Sequence, residues 1–151
     1  MTTTVHGIDG LKELVGAELG TSSPVRVTQE AVNRFADATG DHQWIHVDVE
    51  RAKAGPFGGP IAHGYLTLSL LPALLPTIFV VEGVSMGVNY GLNKLRFPSP
   101  VPVGSEVVCT ATLAAVDDIA GGAQVTLGTV TTVIGAPKPS CVAEVIFRYY
   151  S

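Results

Sequence analysis

Charge is the scarcest ingredient of this chain: Asp, Glu, Lys and Arg make up 15% of it, against about 25% in an average soluble domain. With so little charge, much of the surface needs a cover other than water, and an oligomer interface is the simplest one. Basic residues are scarcer still. The net charge is −4 with nine Lys and Arg in total, and these are scattered rather than striped, so there is no electrostatic field to hold nucleic acid. The two cysteines, Cys109 and Cys141, fall in apolar alternating runs where a cysteine behaves as a small hydrophobe. That usage fits a reduced, cytoplasmic protein. The stretch MTTTVHGIDG lacks a basic segment followed by an apolar core, so no secretory signal is expected. A chain of 151 residues buries roughly two thirds of its unfolded surface. It is expected to form one domain over residues 1–151, without disulfides or structural metal.

What the chain does have is one long uncharged run. Gly64 to Val81 carries no charged residue over eighteen positions, the lower bound for a membrane-spanning helix. Pro72, Pro76, Thr67, Ser69 and Thr77 interrupt it and no Lys or Arg flanks it closely, so no membrane span is expected. The run is read instead as a helix over about residues 62 to 79, buried inside a sheet. Ahead of it, a short helix is expected near Leu11 to Val15 and an extended piece over 23 to 27. Thr28 can cap a second helix that Gly40 ends, with Val32, Phe35, Ala36 and Ala38 at helical spacing. Asp48 can cap one more turn.

After the long run come only strand signals. Met86, Val88, Tyr90 and Leu92 are apolar at even positions, but Leu95 and Phe97 sit at odd ones, which predicts a bulge near Asn93. Residues 106 to 116, 123 to 134 and 141 to 150 each alternate as strands, set apart by glycines. One helix without a polar face followed by long strands predicts an α+β fold with an antiparallel sheet wrapped around that helix.

Chemistry gathers in ADATGDHQWIHVD, where a helix ends at Gly40 and Asp41, His42, His46 and Asp48 follow within eight positions. A carboxylate and an imidazole five residues apart in a loop can converge on one water, the first accepting from it and the second relaying its proton. Asp after Gly is also a common turn residue, and a loop histidine is most often simply solvated. The second stretch is Ile61-Ala62-His63-Gly64, directly before the uncharged run. A glycine at a helix start offers an unpaired N–H to an oxygen that gains negative charge, or serves only close packing. His42 and His46 have the spacing of two zinc ligands on a helix, with Asp41, Asp48 or His63 as a third. Gly40 and Gln43-Trp44-Ile45 argue against a regular helix there, so no metal site is expected.

Taken in order, TGDHQWIHVD, IAHG and FPSPVPVGSEV resemble the MaoC-like, R-specific enoyl-CoA hydratases, a family of hot-dog folds, from about Val27 onward. The family signature is Gly-Asp-x-Asn-Pro-Leu-His. Gly40, Asp41 and His46 match it, Ile45 is conservative, and Gln43 and Trp44 replace Asn and Pro. The resemblance implies a hot-dog fold with a long buried central helix, and hydration of a trans-2-enoyl thioester to an (R)-3-hydroxyacyl thioester, or the reverse dehydration. It assigns the water to Asp41 and His46 as the catalytic pair, and the thioester oxygen to the Gly64 N–H. His63 is expected to brace the loop or touch substrate, and Lys94 and Arg96 are candidates for the phosphates of coenzyme A. No cofactor is implied beyond the coenzyme A thioester that is the substrate, with acyl carrier protein as an alternative carrier. The expected partner is a second copy, in a homodimer or a higher even assembly. Two other readings stand beside this one: a non-catalytic acyl-binding subunit, which turnover by the isolated protein separates, and a hot-dog thioesterase. Against the latter, no Asp or Glu occurs between Arg51 and Val81 to supply a carboxylate from the central helix. In place of the family's Asn-Pro, Trp44 is expected to act as a packing wedge for the loop.

Overall fold

A computed structural model describes residues Met1–Ser151. In chain order the elements are β1 (Thr3–His6), α1 (Gly7–Glu13), β2 (Glu18–Thr21), β3 (Val25–Arg26), α2 (Gln29–Thr39), α3 (Trp44–Val47), α4 (Val49–Lys53), α5 (Gly64–Ser69), α6 (Leu71–Leu74), a 3₁₀ turn (Leu75–Thr77), β4 (Phe79–Glu82), β5 (Met86–Arg96), β6 (Glu106–Ile119), β7 (Gly122–Val133) and β8 (Cys141–Tyr150). The main sheet runs β2-β6-β7-β8-β5, antiparallel throughout, with β3 also paired to β6. β1 and β4 form a separate parallel pair.

The long strands form where the sequence alternates. Val107, Cys109, Ala111 and Leu113 of β6 point inward and are fully buried, as are Val125 and Leu127 of β7. Against them lie Leu66, Leu71, Leu74, Leu75 and Ile78 from the central helical segment. Sheet and segment thus share one core, as the hot-dog expectation required. Of the buried threonines on the strands, Thr129 Oγ1 donates to the Ala143 carbonyl at 2.9 Å, whereas Thr131 Oγ1 has no partner. No helix is long and apolar enough to cross a membrane.

The central helix differs from the expectation in continuity and extent. Instead of one helix over about 62 to 79, the segment is α5, α6 and a 3₁₀ turn, and Phe79 already belongs to β4. Both breaks have the same cause. Pro72 and Pro76 lack the N–H that a continuous helix needs, and each sits in the first turn of a new piece, where that loss costs nothing. The burial is one-sided as well, with Tyr65, Ser69, Pro72, Ala73 and Pro76 exposed.

β5 carries the expected bulge between Leu92 and Lys94, and a second between Asn89 and Gly91. It pairs only with β8, so its other edge is open. Met86, Val88, Tyr90 and Leu92 are 56%, 42%, 57% and 42% exposed. An open edge beside exposed apolar side chains is what soluble proteins ordinarily avoid or cover.

Candidate active site

The loop that carries Asp41 and His46 is set up by capping. Thr28 Oγ1 accepts from the Ala31 N–H at 3.1 Å to begin α2, and Val32 and Ala36 bury its inner face. Gly40 ends it in the left-handed region at φ 84°, its N–H donating to the Ala36 carbonyl. That reversal throws Asp41 clear of the helix. Asp41 Oδ1 then accepts from the Gln43 N–H at 3.3 Å, and the chain enters the single turn α3. Asp48 closes this turn and caps the next, accepting from the Arg51 N–H at 3.1 Å. From α2, Gln29 Nε2 reaches across to the His46 carbonyl at 2.8 Å. Trp44 is half-buried with the Arg51 guanidinium 4.4 Å over its ring. A Cβ on Gly55 would lie 2.9 Å from Trp44 Cζ3. The indole is thus pressed on α4 and the turn after it, as expected of a wedge.

Two imidazoles form the centre. His46 is 6% exposed and His63 2%, and their rings stack at 3.9 Å with 25° between planes. Each ring spends one nitrogen on a backbone carbonyl. His46 Nδ1 donates to Ile61 O at 2.7 Å, and His63 Nε2 donates to Asp41 O at 3.0 Å. A carbonyl only accepts, so these contacts assign the tautomers. The His46 Nε2 lone pair is free, and so is that of His63 Nδ1, which is buried without a partner. Burial pushes the His63 pKa below the usual value, the Asp41 carbonyl opposes that shift, and the neighbouring His46 adds to it. A neutral His63 is the result near pH 7.

Asp41, His46 and His63 each bring a carboxylate oxygen or ring nitrogen to within 4.8 Å of the others. That spacing suits one water held between carboxylate and imidazole. The same three groups are also close enough together to hold a metal ion, through the one nitrogen of each ring that is not bonded to a backbone carbonyl. His42 turns away to Asp37 at 2.8 Å, and this hydrogen bond raises its pKa. The His42–His46 pairing considered from spacing is therefore not formed.

Gly64 opens α5, so its N–H lies outside the helix's own hydrogen-bond ladder. The helix is only six residues long, so the individual N–H matters more here than any summed dipole. Packing also demands a glycine: a Cβ would come within 2.8 Å of the Phe97 ring. His46 and Gly64 line one cleft of about 290 Å³, together with Phe57, Ile61, Phe97 and Ser140. Lys94 and Arg96 lie exposed on β5 and do not line it, although Phe97, the next residue, does. Sequence reasoning missed Phe97 and Ser140 as parts of the site. The Ile61 carbonyl was missed as well, since no local pattern marks a backbone acceptor.

A family model for the MaoC like domain matches residues 11–134. The chain belongs to the MaoC-like family. Within it, the 3-hydroxyacyl-thioester dehydratase Z of Mycobacterium tuberculosis is 55% identical over 147 residues, covering 97% of each chain. Among solved structures, the (R)-hydratase from A. caviae involved in PHA biosynthesis superposes with a TM-score of 0.69 at 27% identity, over 88% of this chain and 94% of that one. The monoamine oxidase regulatory protein from Archaeoglobus fulgius shares the fold at a TM-score of 0.79 and 24% identity, over 100% and 99% of the two chains. Of the residues that carry the motif, His46 lines the cleft, while Gly40 and Asp41 are exposed and lie outside its lining.

Two outcomes are expected from this geometry. Because the folded pKa of His63 lies below the unfolded value of 6.5, the unfolded state binds the extra proton. His63's contribution to stability is therefore whole above that value, declines as pH falls through it and levels off below the folded pKa. Denaturant unfolding between about pH 5 and 7.5 should show this slope in the wild type and its loss in His63→Gln. A slope unchanged by the substitution would mean that folding leaves the His63 pKa unshifted and that the slope has another source. Trp44→Ala should cost about 1–2 kcal/mol, less than full burial of an aromatic side chain, and speed amide exchange across residues 41–47. Unchanged exchange there would show that the loop does not depend on the indole.

Proposed function

We propose that this protein interconverts trans-2-enoyl thioesters and (R)-3-hydroxyacyl thioesters, with Asp41 and His46 handling the water and the Gly64 N–H receiving the thioester oxygen. Its membership of the MaoC-like family and its 55% identity to a 3-hydroxyacyl-thioester dehydratase make it a lyase that adds or removes water at such thioesters. The finer reading rests on one observation above all: His46, whose Nε2 makes no hydrogen bond, lines the same cleft as Gly64, and the exposed Asp41, outside that lining, has a carboxylate oxygen within 4.8 Å of a His46 ring nitrogen.

In the hydration direction His46 Nε2 takes a proton from water, whose oxygen bonds to C3. The Asp41 carboxylate accepts the water's other hydrogen and so orients it. The C2–C3 π electrons move toward the carbonyl, and the enolate oxygen is held by the Gly64 N–H until C2 receives a proton from the pair. C3 becomes electrophilic only if that oxygen is stabilised, which makes a donor and a water-activating pair the minimum set. Only protons and water move, so the chemistry requires no cofactor. R-specificity is supported by the signature residues and by the likeness to an (R)-hydratase. For the carrier, Lys94 and Arg96 lead along β5 to Phe97 at the cleft wall and are the cations proposed to meet coenzyme A phosphates.

The assay is loss or gain of enoyl-thioester absorbance with purified protein and substrates of graded length, with chiral analysis of the product. Asp41→Asn and His46→Gln should each lower kcat by about 10²-fold or more while the protein stays folded. Near-normal turnover in either variant would remove that residue from the mechanism. The open edge of β5 and its exposed apolar face support a homodimer or higher even assembly. Sedimentation should give an even multiple of the 15.7 kDa chain mass, and an active species at the single chain mass would refute it.

A further inference from the structure

Ser140 precedes β8 and is 2% exposed. Its backbone is fixed at both sides: its N–H donates to the Thr131 carbonyl at 2.8 Å, and Ser99 Oγ clamps the preceding turn through Pro139 O at 3.0 Å. Its own hydroxyl has no partner. Leaving a buried hydroxyl unpaired is costly, so one held on a rigid wall calls for a physical explanation.

The cleft supplies the explanation. Ser140 lines it together with His46 and Gly64. The other hydroxyls of that lining are committed, Thr67 Oγ1 to the His63 carbonyl at 3.2 Å and Ser99 Oγ to the turn. His46 Nδ1 is committed to Ile61. Ser140 Oγ is therefore the one side-chain hydroxyl among the cleft-lining residues left without a hydrogen-bond partner.

We propose that Ser140 is a further catalytic residue, donating a hydrogen bond to the thioester carbonyl oxygen beside the Gly64 N–H. This rests on the enoyl-thioester reading above. Near the reacting carbons such a substrate has one strong acceptor, the carbonyl oxygen, and the oxygen on C3 belongs to Asp41 and His46. A carbonyl oxygen has two lone pairs, and the backbone donor occupies one of them. A second donor adds stabilisation where charge develops.

The test uses Ser140→Ala and the near-isosteric, weakly donating Ser140→Cys in the full chain. Removing an unpaired buried hydroxyl should leave the thermal midpoint unchanged or raise it, so both variants remain measurable. The expected result is a fall in kcat of about tenfold or more in both, with KM changed less than kcat. A 2,4-dienoyl thioester, whose absorption moves to the red when its carbonyl is polarised, should show a smaller red shift on the variants than on the wild type. Unchanged kcat and an unchanged red shift would overturn the proposal, as would a loss confined to the thermal midpoint, which marks a structural role. Wild-type protein that turns over neither enoyl nor 3-hydroxyacyl thioesters overturns the functional reading itself, and a failure of Ser140 alone leaves that reading standing.

Discussion

The two backbone polar groups of Ile61, its N–H and its carbonyl, hold the site together. The Ile61 N–H donates to the Ile45 carbonyl at 3.0 Å and the Ile61 carbonyl accepts from His46 Nδ1 at 2.7 Å. On the other side, the Ala62 N–H donates to Val101 O at 2.8 Å and the Val103 N–H to Pro60 O at 2.9 Å. The irregular stretch before α5 is thus a splice between the Asp41–His46 loop and the segment that leads into β6. Backbone groups buried this way must be paired, and here the pairing also decides chemistry. The proton on Nδ1 leaves the Nε2 lone pair unbonded.

The His63 ring extends the same logic by one layer. Its Nε2–H returns to the Asp41 carbonyl, and its face lies on His46. One residue further, Gly64 begins α5 under the Phe97 ring. The spacing of carboxylate, imidazole and amide is therefore set by consecutive residues 61 to 64 rather than by the mobility of a surface loop. A displaced splice would move all three groups together.

Much of this was legible in the sequence, for reasons that differ by element. The sheet could be read because β6, β7 and β8 alternate strictly, and the bulge at Asn93 because alternation changes phase there. The ends of α2 could be read because Thr28 and Gly40 are chemically suited to them. The unbroken central helix was misread because composition outweighed backbone chemistry: the apolar run is continuous, but Pro72 and Pro76 each remove an N–H that the helix would need. Phe97 and Ser140 escaped notice because they reach the cleft from strand ends far along the chain. Their place depends on sheet order, which no local pattern encodes.

The departure of Gln43-Trp44 from the family's Asn-Pro has a physical reading in the backbone. Gln43 has φ −58° and ψ 140°, the extended conformation that a following proline imposes on its predecessor. Trp44 is the first residue of α3, the position where proline is best tolerated in a helix. The chain therefore adopts the shape a proline would enforce, without the ring. Proline would fix that shape by removing conformational freedom from the unfolded chain. In its absence the folded state must supply the difference through contacts, and three are present: the indole against Gly55, the Arg51 guanidinium over the indole, and Gln29 on the His46 carbonyl. A covalent ring and packing are two ways of restricting one turn, and in this chain packing is the one present. The packed version couples the turn to α4 and α2 as the proline version would not.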